Sequence, residues 1–435
     1  MSKKIEGFSK LSKNEKIEWL NKICFNNNEK AKDILIQYWN SDDRLQKLHD
    51  EFSENTISNY YLPFAIAPNF LINNKMYAVP MAIEESSVVA AASKAAKFWM
   101  NHGGFKSEVI QTEKIGQVHF LFHGNSKIIS NYFDFVKPLF FKKTENITRK
   151  MKSRGGGICD ITLVNKNSYL SGYYQIFATF DTVDAMGANF INTCLEEFSK
   201  IFIQTIPLYN NYELKIDDVE IIMSILSNYV PNCIVKSVVS CRVEELNSLE
   251  PNSKNFAEKI IKAVEIANND IYRAVTHNKG IMNGVDAVAI ATGNDFRAIE
   301  ASAHAYASME NYSSLSNAYI KNEFFYFELK LPLAIGTVGG VTNLHPLVKI
   351  GLEILGNPNS KELMKIIASV GLAQNFGAIR SLVTTGIQKG HMKMHLINLL
   401  NKYQANEIEK QKALEYFKIK SVSSSEVENF LNKIR

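Results

Sequence analysis

The feature that most constrains this chain is a change of texture in its middle. Residues 87–101 carry a helical pattern, with Val88-Val89-Ala90-Ala91-Ala92 opening it and Gly103-Gly104 supplying the stop. From about Glu108 to Asp181 the pattern alternates instead. Val118-His119-Phe120-Leu121-Phe122 and Tyr173-Tyr174-Gln175-Ile176-Phe177-Ala178-Thr179-Phe180 have the texture of strands. A helix from about Ala185 to Gln204 and a strand from Cys233 to Val239 come next, and helical spacing resumes near Asn255. Helix together with several antiparallel strands predicts a compact α+β unit within a more helical chain. Upstream, Leu11 to about Leu48 is helical in spacing, and Tyr60 to Pro80 has the turn residues and short apolar runs of a strand pair. The last segment, from about Lys389 to Arg435, is helical and highly charged, as a mobile C-terminal element would be.

At 435 residues the chain is long enough for two to three domains, on a prior of roughly 150 residues each. With 46% of residues hydrophobic it can bury a large core, which argues against disorder. A formal charge of +5, with no long basic run interleaved with aromatics, argues against nucleic-acid binding. The start, Met1-Ser2-Lys3-Lys4-Ile5-Glu6-Gly7, lacks the apolar core of a signal peptide, and no stretch of about 20 apolar residues stands out. The five cysteines (Cys24, Cys159, Cys194, Cys233, Cys241) are scattered without a C-x-x-C, a pattern of reduced thiols. These features predict a cytoplasmic protein with no membrane span.

Five stretches carry possible chemistry. Glu84-Glu85 sits between an apolar strand and a helix start; the pair can cap that helix, or one glutamate can be a buried proton donor. In His277-Asn278-Lys279-Gly280-Ile281-Met282-Asn283-Gly284, a lysine among asparagines and glycines reads as a loop that fixes an ammonium near bound polar groups, or as a solvated loop lysine. Asp295, in Thr292-Gly293-Asn294-Asp295, precedes helix-like Ile299 to Ala307 and suits an N-cap as well as catalysis. His391 and His395 are four apart on one helix face. Met392 stands where the zinc-protease pattern needs Glu, so a proton-shuttling histidine is favoured over a metal pair, and no metal is expected. Asp184-Ala185-Met186-Gly187-Ala188-Asn189, together with Arg154-Gly155-Gly156-Gly157, permits close backbone approach to a ligand, or ordinary turns. No G-x-G-x-x-G follows a strand, so a Rossmann domain has no support.

In this order the stretches resemble the second, soluble bacterial and archaeal class of 3-hydroxy-3-methylglutaryl-CoA (HMG-CoA) reductases. The matching set is Glu54-Asn55-Thr56-Ile57, Glu84-Glu85, Asp184 to Asn189, His277 to Gly284, Ala291 to Asp295, Val338-Gly339-Gly340, His345-Pro346, Leu372-Ala373-Gln374-Asn375 and Gly390-His391-Met392. Two departures are small: Ser86 stands where the family usually has Pro, and Ser58 where it usually has Gly.

The resemblance implies an α+β architecture in three parts. Residues 1–109 and 220–385 would form a large, mainly helical domain that binds the CoA thioester. Residues 110–219 would form a small inserted, ferredoxin-like and non-Rossmann cofactor domain, and 386–435 a C-terminal helical flap. It implies reduction of the HMG-CoA thioester to mevalonate through two hydride transfers, with coenzyme A released between them. It also implies a homodimer, or a higher oligomer of dimers, with active sites at the interface.

By resemblance the catalytic set is Glu85, Lys279, Asp295 and His391. Lys279 would stabilise the oxyanion, where a fixed charge in a water-poor site counts for more. Asp295 would hold that lysine in position. Glu85 must carry a proton to donate one; burial favours this, whereas Lys279 and the helix dipole oppose it. His391, with His395 as fallback, would protonate the CoA thiolate. Ser87, Arg273 and Asn283 match positions that contact the hydroxymethylglutaryl part, whose carboxylate a guanidinium can hold in a bidentate pair. Asp184, Met186, Asn189 and Asn228 match positions near the cofactor. In NAD-using members an acid lies at about Thr148; here Thr148 is followed by Arg149 and Lys150, with Lys152 close by, which favours NADPH over NADH. Rival readings are a non-catalytic CoA-binding relative and degradative mevalonate oxidation with NAD.

Overall fold

The computed structural model describes residues 4–209, 213–253, 255–384, 386–418, 420 and 422–435, with the side chains of 341, 343 and 387–394 outside that description. It divides into two compact units, Met1–Pro63 and Phe64–Arg435.

The first unit holds α1 (Lys13–Cys24), α2 (Glu29–Gln37) and α3 (Asp43–Asp50). Each helix opens on a side-chain cap: Ser12 with Glu15 in a reciprocal capping box, Asn28 on Lys30 N, and Asp42 on Arg44 N and Leu45 N. Trp39 anchors the unit. Its Nε1 donates to Ile57 O at 2.9 Å, and the Lys13 ammonium lies 4.1 Å from its ring while pairing with Asp50 at 2.8 Å.

The second unit begins with the hairpin of β1 (Phe64–Ile72) and β2 (Lys75–Ala82), turned by Asn73 and Asn74 at φ 47° and 66°. Next come α4 (Val88–Met100) and β3 (Lys106–Val109). Gly104, at φ 72°, ends α4 as expected and donates to Trp99 O at 2.8 Å.

The alternating middle of the chain then folds as β4 (Lys114–Phe122), α5 (Ser126–Lys143), α6 (Glu145–Lys152), β5 (Gly157–Asn165), β6 (Tyr173–Asp181), α7 (Ala188–Gln204) and β7 (Val219–Leu226). The strands form one antiparallel sheet in the order β5-β6-β4-β7. That order and the β-α-β-β-α-β connectivity are those of a ferredoxin-like unit. Its own core stacks Phe120, Tyr132, Phe140, Phe198 and Phe202, with the Phe120 and Phe202 ring centres 5.0 Å apart. Because β7 is an edge strand of this sheet, the sheet runs to residue 226, past the boundary at 219 drawn from the sequence.

The rest comprises β8 (Ile234–Arg242), α8 (Val243–Ser248), α9 (Phe256–Asn269), α10 (Ile271–Ala291), α11 (Phe296–Ala307), β9 (Ser316–Lys321), β10 (Phe324–Pro332), α12 (Pro346–Ile354) and α13 (Ser360–Val383). A second antiparallel sheet, in the order β3-β8-β10-β9, packs against α13. The chain closes with α14 (Ile387–Lys402), α15 (Glu407–Tyr416) and α16 (Ser424–Ile434), which bury Leu400, Ala413, Val427 and Leu431 in a cluster of their own.

Two expectations are corrected here. The stretch around Lys279 is not a loop but the middle of α10, a 21-residue helix capped by Asp270 on Arg273 N. Its asparagines and glycines answer to packing. Asn278 is fully buried, donating to Ser313 O at 2.9 Å and Tyr312 Oη at 3.2 Å while accepting from Leu315 N at 3.0 Å. Gly284 faces α13 so closely that a Cβ there would lie 2.8 Å from Gln374 Cβ and 2.9 Å from Val370 O. Second, α13 is long and apolar enough, at mean hydropathy 1.3, to cross a membrane, a stretch that residue-by-residue reading of the sequence overlooks. It is 67% buried among the second sheet, α4 and α10, as a central core helix is.

The α10–α13 crossing yields a prediction. Gly284→Ala improves intrinsic helix propensity, yet overpacks against backbone that cannot yield. It should lower stability by about 1–3 kcal/mol in denaturant unfolding.

Candidate active site

Three elements frame one cavity of ≈ 240 Å³: the turn into α4, one face of α10, and the C-terminal half of α13. From α10 come Arg273, Thr276, Lys279 and Asn283, at steps of three and four residues that place them on one helix face. Gln374, Asn375, Ala378 and Ser381 line it from α13. Glu85, Ser86 and Ser87 line it from the turn. Ser87 takes φ 76°, a left-handed conformation that costs a non-glycine residue about 1–3 kcal/mol and bends the chain so that all three face the cavity. The capping reading of Glu84 and Glu85 is not met: α4 has no side-chain cap and no acid in its first turn.

The central contact is an ion pair, Lys279 Nζ to Glu85 Oε2 at 2.5 Å, with the lysine side chain 58% exposed and the glutamate 35%. Both partners are therefore wet enough to exchange for a ligand. Arg273 is half-buried, which lowers its guanidinium from the usual value without discharging it. Asp295 is not among the cavity's lining residues. It caps α11, accepting from Ala298 N at 3.1 Å, and lies 3.7 Å from Arg297 Nε, so Lys279 is held by Glu85 instead of the expected Asp295.

Sequence reasoning passed over His277 as a site residue. It is buried against the cavity, with Nε2 2.7 Å from Ser316 Oγ, which donates in turn to Asn375 Oδ1 at 2.8 Å. That chain makes Nε2 the donor and fixes the tautomer. Burial first, and the Arg273 charge second, push the imidazole down to about 3, so it stays neutral at physiological pH. The helical spacing of α10 was the signal that would have found this face; the loop reading concealed it.

The expected cofactor residues lie on the ferredoxin-like unit and its border. Arg149 and Lys150 are exposed on α6. Thr148 is corrected: it is fully buried, and its Oγ1 donates back to Thr144 O at 3.1 Å, so its hydroxyl is not offered to a ribose. Met186 and Asn228 border a second, small cavity with Lys114 and Ser302, and Asn189 is exposed in the first turn of α7. Asp184 has a different task from the one expected. Its Oδ1 accepts from Ser360 N at 2.8 Å and its carbonyl from Thr337 N at 2.8 Å, tying the sheet unit to the start of α13. Beneath that turn, buried Lys114 donates to Thr182 Oγ1 and, at 3.0 Å, to Ala185 O; burial lowers its ammonium from the usual value.

His395 is exposed on α14, and His391 belongs to the same helix with its side chain outside the described residues. Among the described residues no group of three His, Cys, Asp or Glu is placed to hold a metal ion.

A depressed imidazole in the folded state binds its proton less tightly than the unfolded chain does. Stability linked to His277 is therefore present above about pH 6.5 and is lost as pH falls toward about 3. In histidine-ring NMR spectra, one resonance should stay unmoved from about pH 8 to about pH 5 and vanish in His277→Gln.

The family model described as hydroxymethylglutaryl-coenzyme A reductase matches residues 12–396. The 3-hydroxy-3-methylglutaryl-coenzyme A reductase of Archaeoglobus fulgidus is 36% identical over 400 residues, covering 92% of this chain and 87% of that one. A probable reductase of the same name from Borreliella burgdorferi is 34% identical over 376 residues, covering 84% of this chain and 83% of that one. Among solved structures, the Streptococcus pneumoniae reductase superposes with a TM-score of 0.71 at 34% identity, covering 99% of each chain. A class II reductase structure from Streptococcus pneumoniae, bound to NADPH in open conformations, gives 0.71 at 34% identity, covering 98% of this chain and 100% of that one. Family model, relatives and superposed structures agree, and the chain belongs to the hydroxymethylglutaryl-CoA reductase family, in its class II branch.

Proposed function

We propose that the cavity between α4, α10 and α13 holds the hydroxymethylglutaryl end of HMG-CoA, and that Lys279 and Glu85 act on its thioester carbonyl as it is reduced to mevalonate. The observation that carries this reading is the Lys279–Glu85 ion pair, set on a cavity wall that also presents Arg273. Arg273 binds the free carboxylate of the substrate, and Ser87 and Asn283 orient it. When the carbonyl oxygen displaces Glu85 from Lys279, the ammonium meets the developing oxyanion directly, while Glu85, freed of the cation that keeps it ionised, takes up a proton from water and delivers it to the same oxygen. Neutral His277 holds the floor of the cavity through Ser316 and Asn375 without adding a competing charge. His391 protonates the departing thiolate. Asp295 enters through its cap on α11, which fixes the chain just beyond α10.

NADPH supplies hydride to the substrate when bound. The exposed cations Arg149 and Lys150 suit a 2′-phosphate, and Met186 and Asn228 on the second cavity, with exposed Asn189 at the start of α7, would contact the rest of the cofactor. Residues 110–226 are then the cofactor domain, 1–109 and 227–385 the large domain, and 386–435 the flap that brings His391 to the site. A homodimer of cytoplasmic location completes the reading.

Purified protein should oxidise two NADPH per CoA released. Lys279→Ala should lower kcat by about 10²- to 10³-fold, the usual cost of a lost oxyanion donor. Reversing Arg149 and Lys150 to glutamate should raise KM for NADPH while sparing that for NADH. Unchanged turnover in Lys279→Ala would remove the proposed role, and a monomer in sedimentation would remove the dimer.

A further inference from the structure

The turn that carries Asp184 and Met186 is held in a conformation its own sequence does not favour. It joins β6 to α7, and its second residue, Val183, sits at φ 50°. A β-branched side chain rarely takes that left-handed region, and such a residue persists only where its surroundings over-determine it. From the α13 side, Ser360 Oγ donates to Val183 O and Ser360 N to Asp184 Oδ1, each at 2.8 Å. From the sheet side the tie is Lys114, the first residue of β4. It is 5% exposed, and its Nζ donates to Thr182 Oγ1 and, at 3.0 Å, to Ala185 O. Thr182 Oγ1 donates in turn to Ala185 O at 2.6 Å. The lysine thereby aims the threonine hydroxyl and grips the chain on both sides of Val183. Two N–H groups supply both bonds, so the grip holds with the amine charged or neutral. The same lysine lines the small cavity that Met186 and Asn228 border.

We propose that Lys114 is a positioning residue for the cofactor: it holds strained Val183 in place and so sets Met186 and the start of α7 where NADPH binds. The inference rests on the reading of Met186, Asn189 and Asn228 as cofactor contacts. The fold itself does not need the lysine. Without it Ala185 O still accepts from the Thr182 hydroxyl, and Ala185 N still donates to Thr182 O at 3.0 Å. Exchanging a buried charged group for an apolar side chain of similar length is often neutral for stability. What the exchange removes is the anchor between the turn and β4. Val183 then relaxes out of the left-handed region and Met186 moves with it, so the loss falls on cofactor binding.

Equilibrium binding of NADPH to the full chain, followed by the fluorescence of the cofactor, tests this without turnover. Lys114→Met should weaken binding about 10-fold, the worth of roughly one hydrogen bond to the cofactor, with the thermal midpoint unchanged. In steady state KM for NADPH should rise by the same factor, while kcat at saturating NADPH and KM for HMG-CoA stay at wild-type levels. Thr182→Val, which removes the relaying hydroxyl and keeps the volume, should weaken binding likewise. Adding Val183→Gly to Lys114→Met should recover most of the loss, because glycine takes this φ without strain. A residue that merely supported the fold would not be rescued in this way. Wild-type NADPH affinity in folded Lys114→Met overturns the proposal, and so does a weakened affinity that Val183→Gly leaves unrepaired. Asn228→Ala separates the proposal from the reading beneath it. If that variant binds NADPH as the wild type does, the cofactor reading fails and the proposal falls with it. If it binds weakly while Lys114→Met does not, the proposal alone fails.

Discussion

Helices α10 and α13 meet with almost no space between them, and the rest of the active-site architecture follows from that approach. Gly284 on α10 admits Gln374 and the Val370 carbonyl, and Gly371 on α13 admits Val285 Cγ2, where a Cβ would lie 2.8 Å away. With the backbones this close, the turns flanking the crossing diverge into a cavity whose two walls are polar faces of otherwise buried helices. The same closeness fixes His277 and Asn375 on the Ser316 hydroxyl, with Asn278 held beside them by Leu315 N, so the cavity floor is rigid and uncharged. A wet ion pair above a dry floor is an arrangement in which one charge can be exchanged for a substrate oxygen while the groups behind it stay in place.

A second constraint links the ferredoxin-like unit to this cavity. Ser360, at the start of α13, donates its N–H to Asp184 and its hydroxyl to Val183 O at 2.8 Å. Val183 holds φ 50°, strained for a β-branched residue, and Gly336 comes so close to the Met186 N–H that a Cβ would lie 2.4 Å from it. Lys114, buried beneath the turn, holds it from the sheet side. The turn is thus determined from both sides, and a displacement of the sheet unit reaches α13, the helix that carries Gln374 and Asn375.

Much of the fold was legible where local pattern and tertiary environment agree. The hairpin at Asn73-Asn74, the alanine-rich α4 with its glycine stop, and the alternating strands β4 and β6 each carry a signal that packing reinforces. Legibility failed where packing overrode propensity. The Asn-Lys-Gly sequence around Lys279 reads as a loop because its asparagines and glycines are poor helix formers, yet Asn278 recovers its polar groups from Tyr312, Ser313 and Leu315, none of them neighbours in sequence. Thr148 was placed among the cofactor residues by its position beside Arg149 and Lys150, whereas helix α6 turns its hydroxyl back to Thr144. Asp184 was expected near the cofactor and Asp295 either on Lys279 or as an N-cap; the geometry uses the first at the start of α13 and the second as the cap of α11.

The sequence by itself determined the family, through an ordered set of short motifs, and the sheet unit within a helical chain, through a period that switches to two. It also named Glu85, Ser87, Arg273, Lys279 and Asn283, which line one cavity although they lie up to 198 positions apart. Only the tertiary structure decided which carboxylate holds Lys279 and that His277 is neutral. The physical reason is that charge state and partner choice depend on burial and on distances between elements remote in sequence, which local residue patterns do not encode.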